Sequence, residues 1–164
     1  VEPEVLMDGN HTIELCYDAT EATLKALFNE LYKQKVTMEH TILKVNMVVS
    51  GGSCPIQASI DDVAVLTVNC LLNTVPASIP GIVFLSGGQT AELATAHLNA
   101  MNANYAPLPW PLSFSYGRAL QAPCLDAWQG KEENVTKAQV ILLHREKCNS
   151  QATLGKYFSG DDAA

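Results

Sequence analysis

One charged residue stands inside an otherwise apolar run: Lys44, within Thr41-Ile42-Leu43-Lys44-Val45-Asn46-Met47-Val48-Val49. Strands buried on both faces carry near-continuous apolar runs in which charge is scarce. A lysine placed there either finds an ionic partner or loses its proton, because desolvation lowers the pKa of an amine. The neutral amine is a nucleophile that condenses with carbonyls to give a Schiff base. A structural lysine tied to a carboxylate is the alternative. Glu2 and Glu4 are candidate partners, since residues two apart in a strand share a face. Such a pair suits the proton shuttle that imine chemistry needs, or it serves only as salt-bridge partners.

Two further segments suit an anion. Phe84-Leu85-Ser86-Gly87-Gly88-Gln89-Thr90 runs from a strand pattern into a helix pattern. Glycines let backbone N–H groups approach an anion, and a helix start adds partial positive charge. The same Gly-Gly also suits a plain tight turn. Phe114-Ser115-Tyr116-Gly117-Arg118 is a second strand end, with a glycine and a cation. Arginine presents a planar fork to phosphate oxygens, unless it caps a carboxylate at the surface.

Four short runs position these groups: residues 1–6, 41–49, 81–85 and 112–116. A helical pattern follows each of the first three. Asp18 and Glu21 form a capping-box pair ahead of a face carrying Leu24, Leu27, Phe28 and Leu31. Ser59 and Asp62 repeat the box before Val63, Leu66, Cys70 and Leu71, and Thr90 caps a helix carrying Leu93, Ala94, Leu98 and Met101. A short helix near residues 120–128 and a longer one from about 132 to 148 follow the fourth run. Alternation of strand and helix is the signature of βα units in a parallel sheet. Prolines 76, 80, 107, 109 and 111 punctuate the connections, and no domain linker interrupts them. Four such units make either an open four-stranded sheet or half of an eight-fold barrel. Barrel enzymes draw catalytic groups from the C-terminal ends of several strands, and this placement of polar residues favours the half-barrel.

The 164 residues suffice for one domain with a sizeable core. A net charge of −7 argues against broad nucleic-acid or anionic-membrane partners. No apolar run approaches the ~20 residues of a membrane span, and no secretory signal is visible. The five cysteines include no C-x-x-C pair, which fits a reduced, intracellular setting without disulfides or zinc. The four histidines fall into no ligand spacing, so no metal is expected. Asn10-His11-Thr12 and Asn134-Val135-Thr136 match a glycosylation pattern by chance on this reading. The chain opens within a strand pattern and without methionine, so a piece of a longer protein is expected.

In order and spacing, Val1-Glu2-Pro3-Glu4, Leu43-Lys44-Val45-Asn46-Met47-Val48, Phe84-Leu85-Ser86-Gly87-Gly88-Gln89 and Ser113-Phe114-Ser115-Tyr116-Gly117-Arg118-Ala119-Leu120-Gln121 resemble class I fructose-bisphosphate aldolase. Trp128-Gln129-Gly130-Lys131-Glu132-Glu133-Asn134-Val135 and Asn149-Ser150 add to the likeness. It extends over essentially the whole chain and corresponds to strands five to eight of the family's (β/α)8 TIM barrel. The resemblance thus implies an α/β half-barrel at residues 1–157 and a mobile, truncated tail at 158–164. It implies a lyase of glycolysis and gluconeogenesis that uses neither metal nor cofactor. That lyase reversibly cleaves fructose 1,6-bisphosphate to dihydroxyacetone phosphate and glyceraldehyde 3-phosphate. Carried over by residue, Lys44 is the Schiff-base lysine, Glu2 the acid/base that forms and dehydrates the carbinolamine, and Glu4 a carboxylate that positions its neighbours. Ser86, Gly87, Ser115, Gly117 and Arg118 hold the phosphate on the dihydroxyacetone side.

Sugar phosphates are the implied partners, with a cytoplasmic homotetramer as the full-length parent. Val45 stands where the family usually has proline, and Leu72-Asn73 where it usually has two arginines. The family's further groups would precede Val1: a strand-one aspartate, lysines on strands three and four, and arginines for the other phosphate. Its C-terminal tyrosine would follow Ala164. The chain alone is therefore expected to be inactive. An aldolase-derived binding or scaffold protein without turnover is the second reading. Another Schiff-base lyase on the same barrel is the third, and the two phosphate segments disfavour it.

Overall fold

Three short strands, β1 (Leu43–Val45), β2 (Ile82–Phe84) and β3 (Leu112–Phe114), pair in parallel in the order β1-β2-β3. They belong to a computed structural model that describes residues 1–158 and 160. Among the described residues five α-helices accompany them: α1 (Ile13–Lys33), α2 (Ile60–Thr74), α3 (Ala91–Tyr105), α4 (Arg118–Trp128) and α5 (Val135–Thr153). One helix lies between each successive pair of strands, as parallel pairing requires. The register aligns Leu43 with Ile82 and Leu112, and Lys44 with Val83 and Ser113. Leu43, Val45, Ile82, Phe84 and Leu112 are buried and join the core formed with the helices. Lys44, Val83 and Ser113, at the alternate positions, are half-buried on the opposite face.

The expected first strand does not form. Val1 makes one parallel bridge to β1, its amine donating to the Ile42 carbonyl at 2.9 Å and its carbonyl accepting from Lys44 N–H at 2.8 Å. The next residue facing β1 would be Pro3, which has no N–H to continue the ladder. A side chain takes over instead. The Asn46 amide oxygen accepts from Val5 N–H at 2.9 Å, while its Nδ2 donates to Thr20 Oγ1 and to the Met47 carbonyl. The sheet is three-stranded, with residues 1–5 laid along its β1 edge.

Two of the three expected helix starts are observed. Ser59 accepts from Asp62 N–H at 3.1 Å and Asp62 returns a bond to Ser59 N–H at 3.3 Å, a closed capping box on α2. Thr90 accepts from Leu93 N–H at the start of α3. The Asp18–Glu21 pair caps nothing, because α1 begins at Thr12, whose hydroxyl accepts from Leu15 N–H. Both acids lie inside the helix, where Glu21 pairs with Lys25 four residues on, at 2.8 Å. The apolar face of α1 is as expected, with Leu24 and Phe28 buried and Leu27 and Leu31 packed against them. On α3 the expected Leu93 faces outward, and Thr95 and His97 are buried instead. At the other end of the chain Tyr157 is buried, its N–H bonded to Asn99, and Phe158 is exposed. The expected tail at 158–164 otherwise lies largely outside the described residues.

Asn46 holds the N-terminal segment, α1 and the end of β1 with one buried amide. Asn46→Ala leaves Val5 N–H and its other partners unpaired and is expected to cost about 2–3 kcal/mol. The check is a lowered urea midpoint with unchanged m-value for protein expressed from its whole gene.

Candidate active site

Alternation along β1 sends Leu43 and Val45 into the core and turns Lys44 the other way. Its ammonium meets Glu2: Nζ lies 2.7 Å from Oε1, with the side chains 30% and 55% exposed. Of the two states open to a lysine in this run, the paired one is realised, and the side chain is only part-buried. The Val1 bridge to β1 is what brings Glu2 to this spot. Glu4 is exposed and, among the described residues, pairs with no cation.

Beyond β2 the chain turns at residues 86–89, closed by Gln89 N–H to the Ser86 carbonyl at 3.0 Å. The two central residues, Gly87 and Gly88, have φ of +58° and +93°, which only glycine adopts readily. Among the described residues no hydrogen bond engages their two amides. Beyond β3, Gly117 is the N-cap residue of α4 and Arg118 its first residue, so a helix start and a guanidinium share one corner. Arg118 makes no ion pair among the described residues, so it is not spent on a carboxylate. A Cβ added at Gly88 would lie 3.9 Å from its Nη2.

Gly87, Gly88 and Arg118 line one open cavity of about 330 Å³ together with Gly52, Ser53 and Asp8. Of the five residues expected to hold phosphate, Gly87 and Arg118 meet here. Ser86 is buried beside the turn, while Ser115 and Gly117 are exposed on the β3–α4 connection and outside the lining. The loop 51–53 was missed from the sequence. It interlocks with the N-terminal segment: Gly51 N–H bonds the His11 carbonyl, Gly52 N–H that of Met7, and Ser53 N–H that of Gly9, at 2.7–2.9 Å. A Cβ at Gly51 would sit 2.5 Å from the Gly9 oxygen, so this crossing needs glycine. The Gly51-Gly52 pair after an apolar run was the available signal.

A part-buried row of side chains backs the turn. Gln89, its last residue, accepts from His97 Nδ1 at 2.6 Å and donates to Met47 Sδ at 3.7 Å. Burial pushes the His97 pKa down to about 4, so the imidazole is neutral at physiological pH. Among the described residues no three His, Cys, Asp or Glu side chains converge as a metal site, and no helix is long and apolar enough to cross a membrane.

Chemically, the arrangement offers an amine with a carboxylate at hydrogen-bond distance, and unpaired amides with a guanidinium at the ends of the neighbouring strands. Comparison with known proteins gives the family. The family model described as fructose-bisphosphate aldolase class-I (glycolytic) matches residues 1–164. The chain is 60% identical over 158 residues to a probable fructose-bisphosphate aldolase class 1 of Xylella fastidiosa (strain Temecula1 / ATCC 700964), covering 96% of this chain and 47% of that protein. It is 53% identical over 157 residues to fructose-bisphosphate aldolase of Dictyostelium discoideum, covering 96% and 44%. Among solved structures, it matches fructose-bisphosphate aldolase of Plasmodium falciparum, crystallised with TRAP and a small-molecule inhibitor. The TM-score is 0.93 at 51% identity, over 96% of this chain and 45% of that one. The chain thus spans about half the length of the curated relatives it matches.

The depressed His97 pKa has a thermodynamic consequence. Between about pH 4 and the ordinary value of 6.5 the unfolded chain binds a proton that the folded one does not. Stability therefore rises with pH in that window, is full above it, and is lost as pH falls through it. The loss is roughly 3 kcal/mol at most. His97→Gln is expected to flatten this dependence, read as the difference between the two proteins in urea unfolding from pH 4.5 to 7.

Proposed function

The chain belongs to the class I fructose-bisphosphate aldolase family, and we propose that it carries the imine-forming part of that family's reaction. The observation that carries this reading is the Lys44–Glu2 pair at 2.7 Å, set on the strand next to the Gly87-Gly88 turn and its unpaired amides. The substrate is fructose 1,6-bisphosphate, cleaved reversibly to dihydroxyacetone phosphate and glyceraldehyde 3-phosphate in glycolysis and gluconeogenesis, with no metal or cofactor.

In the proposed sequence Glu2 accepts a proton from the Lys44 ammonium, and the freed amine attacks the ketone carbon. The carbinolamine hydroxyl leaves as water, taking its proton from Glu2 in the acid form. The resulting protonated imine withdraws electrons from the C3–C4 bond. That bond breaks as the C4 hydroxyl gives its proton to a base elsewhere in the whole protein, the aldehyde departs, and the electron pair is held as an enamine on Lys44. Glu4 orients polar neighbours from the same segment. The amides of Gly87 and Gly88 and the Arg118 guanidinium grip the phosphate on the dihydroxyacetone side, with Ser86, Ser115 and Gly117 shaping the two strand ends. Gripping the phosphate holds the carbonyl beside the amine, which is the positional part of catalysis.

On this reading the three-stranded sheet, with residues 1–5 along its edge, represents strands five to eight of a (β/α)8 barrel. Residues 1–157 form the C-terminal half-barrel. The groups that complete C–C cleavage lie outside the chain, which by itself does not turn over. The whole protein is a cytoplasmic homo-oligomer, a tetramer, that handles sugar phosphates and neither nucleic acid nor membrane.

Borohydride reduction of the whole-gene protein with dihydroxyacetone phosphate is expected to fix label on Lys44, and Lys44→Arg to abolish it. Label elsewhere, seen by peptide mass spectrometry, overturns the assignment. Arg118→Ala removes a charge-assisted phosphate contact worth about 2–3 kcal/mol. A drop of about 100-fold in kcat/KM is expected, with no change in the condensation of unphosphorylated dihydroxyacetone. Equal losses for both substrates would show that Arg118 acts through structure alone.

A further inference from the structure

A second cavity, of about 400 Å³, lies on the other side of the glycine turn, between the starts of α2 and α3. Val49, Ala58, Ile60, Val63 and Leu93 give it apolar walls. None of its lining residues is Asp, Glu, Lys or Arg. The volume lies in the range of small-molecule sites, which combine apolar walls with a few placed polar groups. With no charged side chain in its lining, such a site suits a neutral ligand better than a sugar phosphate.

His97 supplies the placed polar group. The ring is 5% exposed and lines the cavity. Its Nδ1 faces the Gln89 amide oxygen at 2.6 Å, which fixes the proton on Nδ1 and leaves Nε2 with a lone pair. Among the described residues nothing bonds Nε2, and that atom is not sealed from solvent. The cavity therefore presents the His97 acceptor on uncharged walls that also carry Ser50, Gln57 and Thr90.

The two cavities share a wall. Met7, Gly52 and Gly88 line both. Gln89 and Thr90, which follow Gly88 directly, line the second one, and Gln89 holds His97. A molecule seated against His97 therefore presses on the turn whose amides face the first cavity.

We infer that this cavity is an effector site for a small neutral molecule with an apolar body and one hydrogen-bond donor, given to His97, whose occupancy is coupled to anion binding at the Gly87-Gly88 turn. The site itself stands on its own geometry, and the coupling rests on the reading of that turn as a phosphate grip.

The test uses whole-gene protein with indole, and with benzothiophene as its near-isostere lacking the N–H, measured by ligand-observed NMR. Indole is expected to bind about ten-fold tighter than benzothiophene, the worth of one hydrogen bond. His97→Phe should erase that preference. Leu93→Trp fills the cavity from a position that is 44% exposed, so the fold tolerates it, and should weaken both ligands by about ten-fold or more. Equal affinities in the wild type, or affinities unmoved by Leu93→Trp, overturn the site. Saturating inorganic phosphate should shift the indole affinity about three-fold or more, with indole shifting phosphate by the same factor. No shift, with phosphate bound in an Arg118-dependent way, overturns the coupling. Phosphate binding indifferent to Arg118→Ala overturns the phosphate grip and, with it, the coupling, while the indole preference still decides the site.

Discussion

Side chains of a strand must alternate, and on β1 this constraint decides where the amine goes. Leu43 and Val45 are sealed in the core, so Lys44 between them has only the opposite face available. Each buried aliphatic side chain contributes about 1.5–3 kcal/mol, whereas a part-exposed ion pair contributes about 1 kcal/mol or less. The core therefore sets the register, and the pair with Glu2 is a consequence of it. A slip of one residue would expose Leu43 and Val45 and bury an ammonium among apolar side chains. The position of Lys44 is thus protected by the apolar residues on either side of it.

The second element of the site is made of backbone. Gly87 and Gly88 present amides because their φ values turn the chain back on itself directly after β2. Gly51 lets the loop after β1 pass against the N-terminal segment at a distance no side chain permits. The resulting bonds from Gly51, Gly52 and Ser53 tie together residues some forty positions apart. The segment that carries Glu2 is therefore clamped twice, by the Asn46 amide near β1 and by this loop at the far end.

What the sequence discloses divides along the same line. The capping box at Ser59 and the cap at Thr90 are local and were legible, as were the α1 face of Leu24 and Phe28 and the odd charge of Lys44. Asp18 and Glu21 fit the box pattern equally well, and only the earlier start at Thr12 turns Glu21 into a helix-surface partner of Lys25. Residues 1–6 carry strand-like alternation, but Pro3 withholds the N–H a ladder needs. Leu93 matched the apolar period of α3, yet it lies at the mouth of a cavity rather than against the sheet. The loop 51–53 and the His97–Gln89 contact were illegible, because each depends on residues brought close by the finished fold.

That last contact bears on how the glycine turn behaves. Two consecutive glycines in the left-handed region are costly to hold in place, since glycine has the most conformations to lose. An anion grip made of such amides works only if something else holds the turn in shape. Ser86 is buried at its entry, and Gln89 is pinned at its exit between a neutral imidazole and the Met47 sulfur. The imidazole accepts a proton only at low pH, so this restraint persists across the physiological range. Restraint on the turn is thus supplied from the side where Gln89 and His97 line the larger cavity. The turn stands between two cavities that share Met7, Gly52 and Gly88 in their walls, so its shape bears on both.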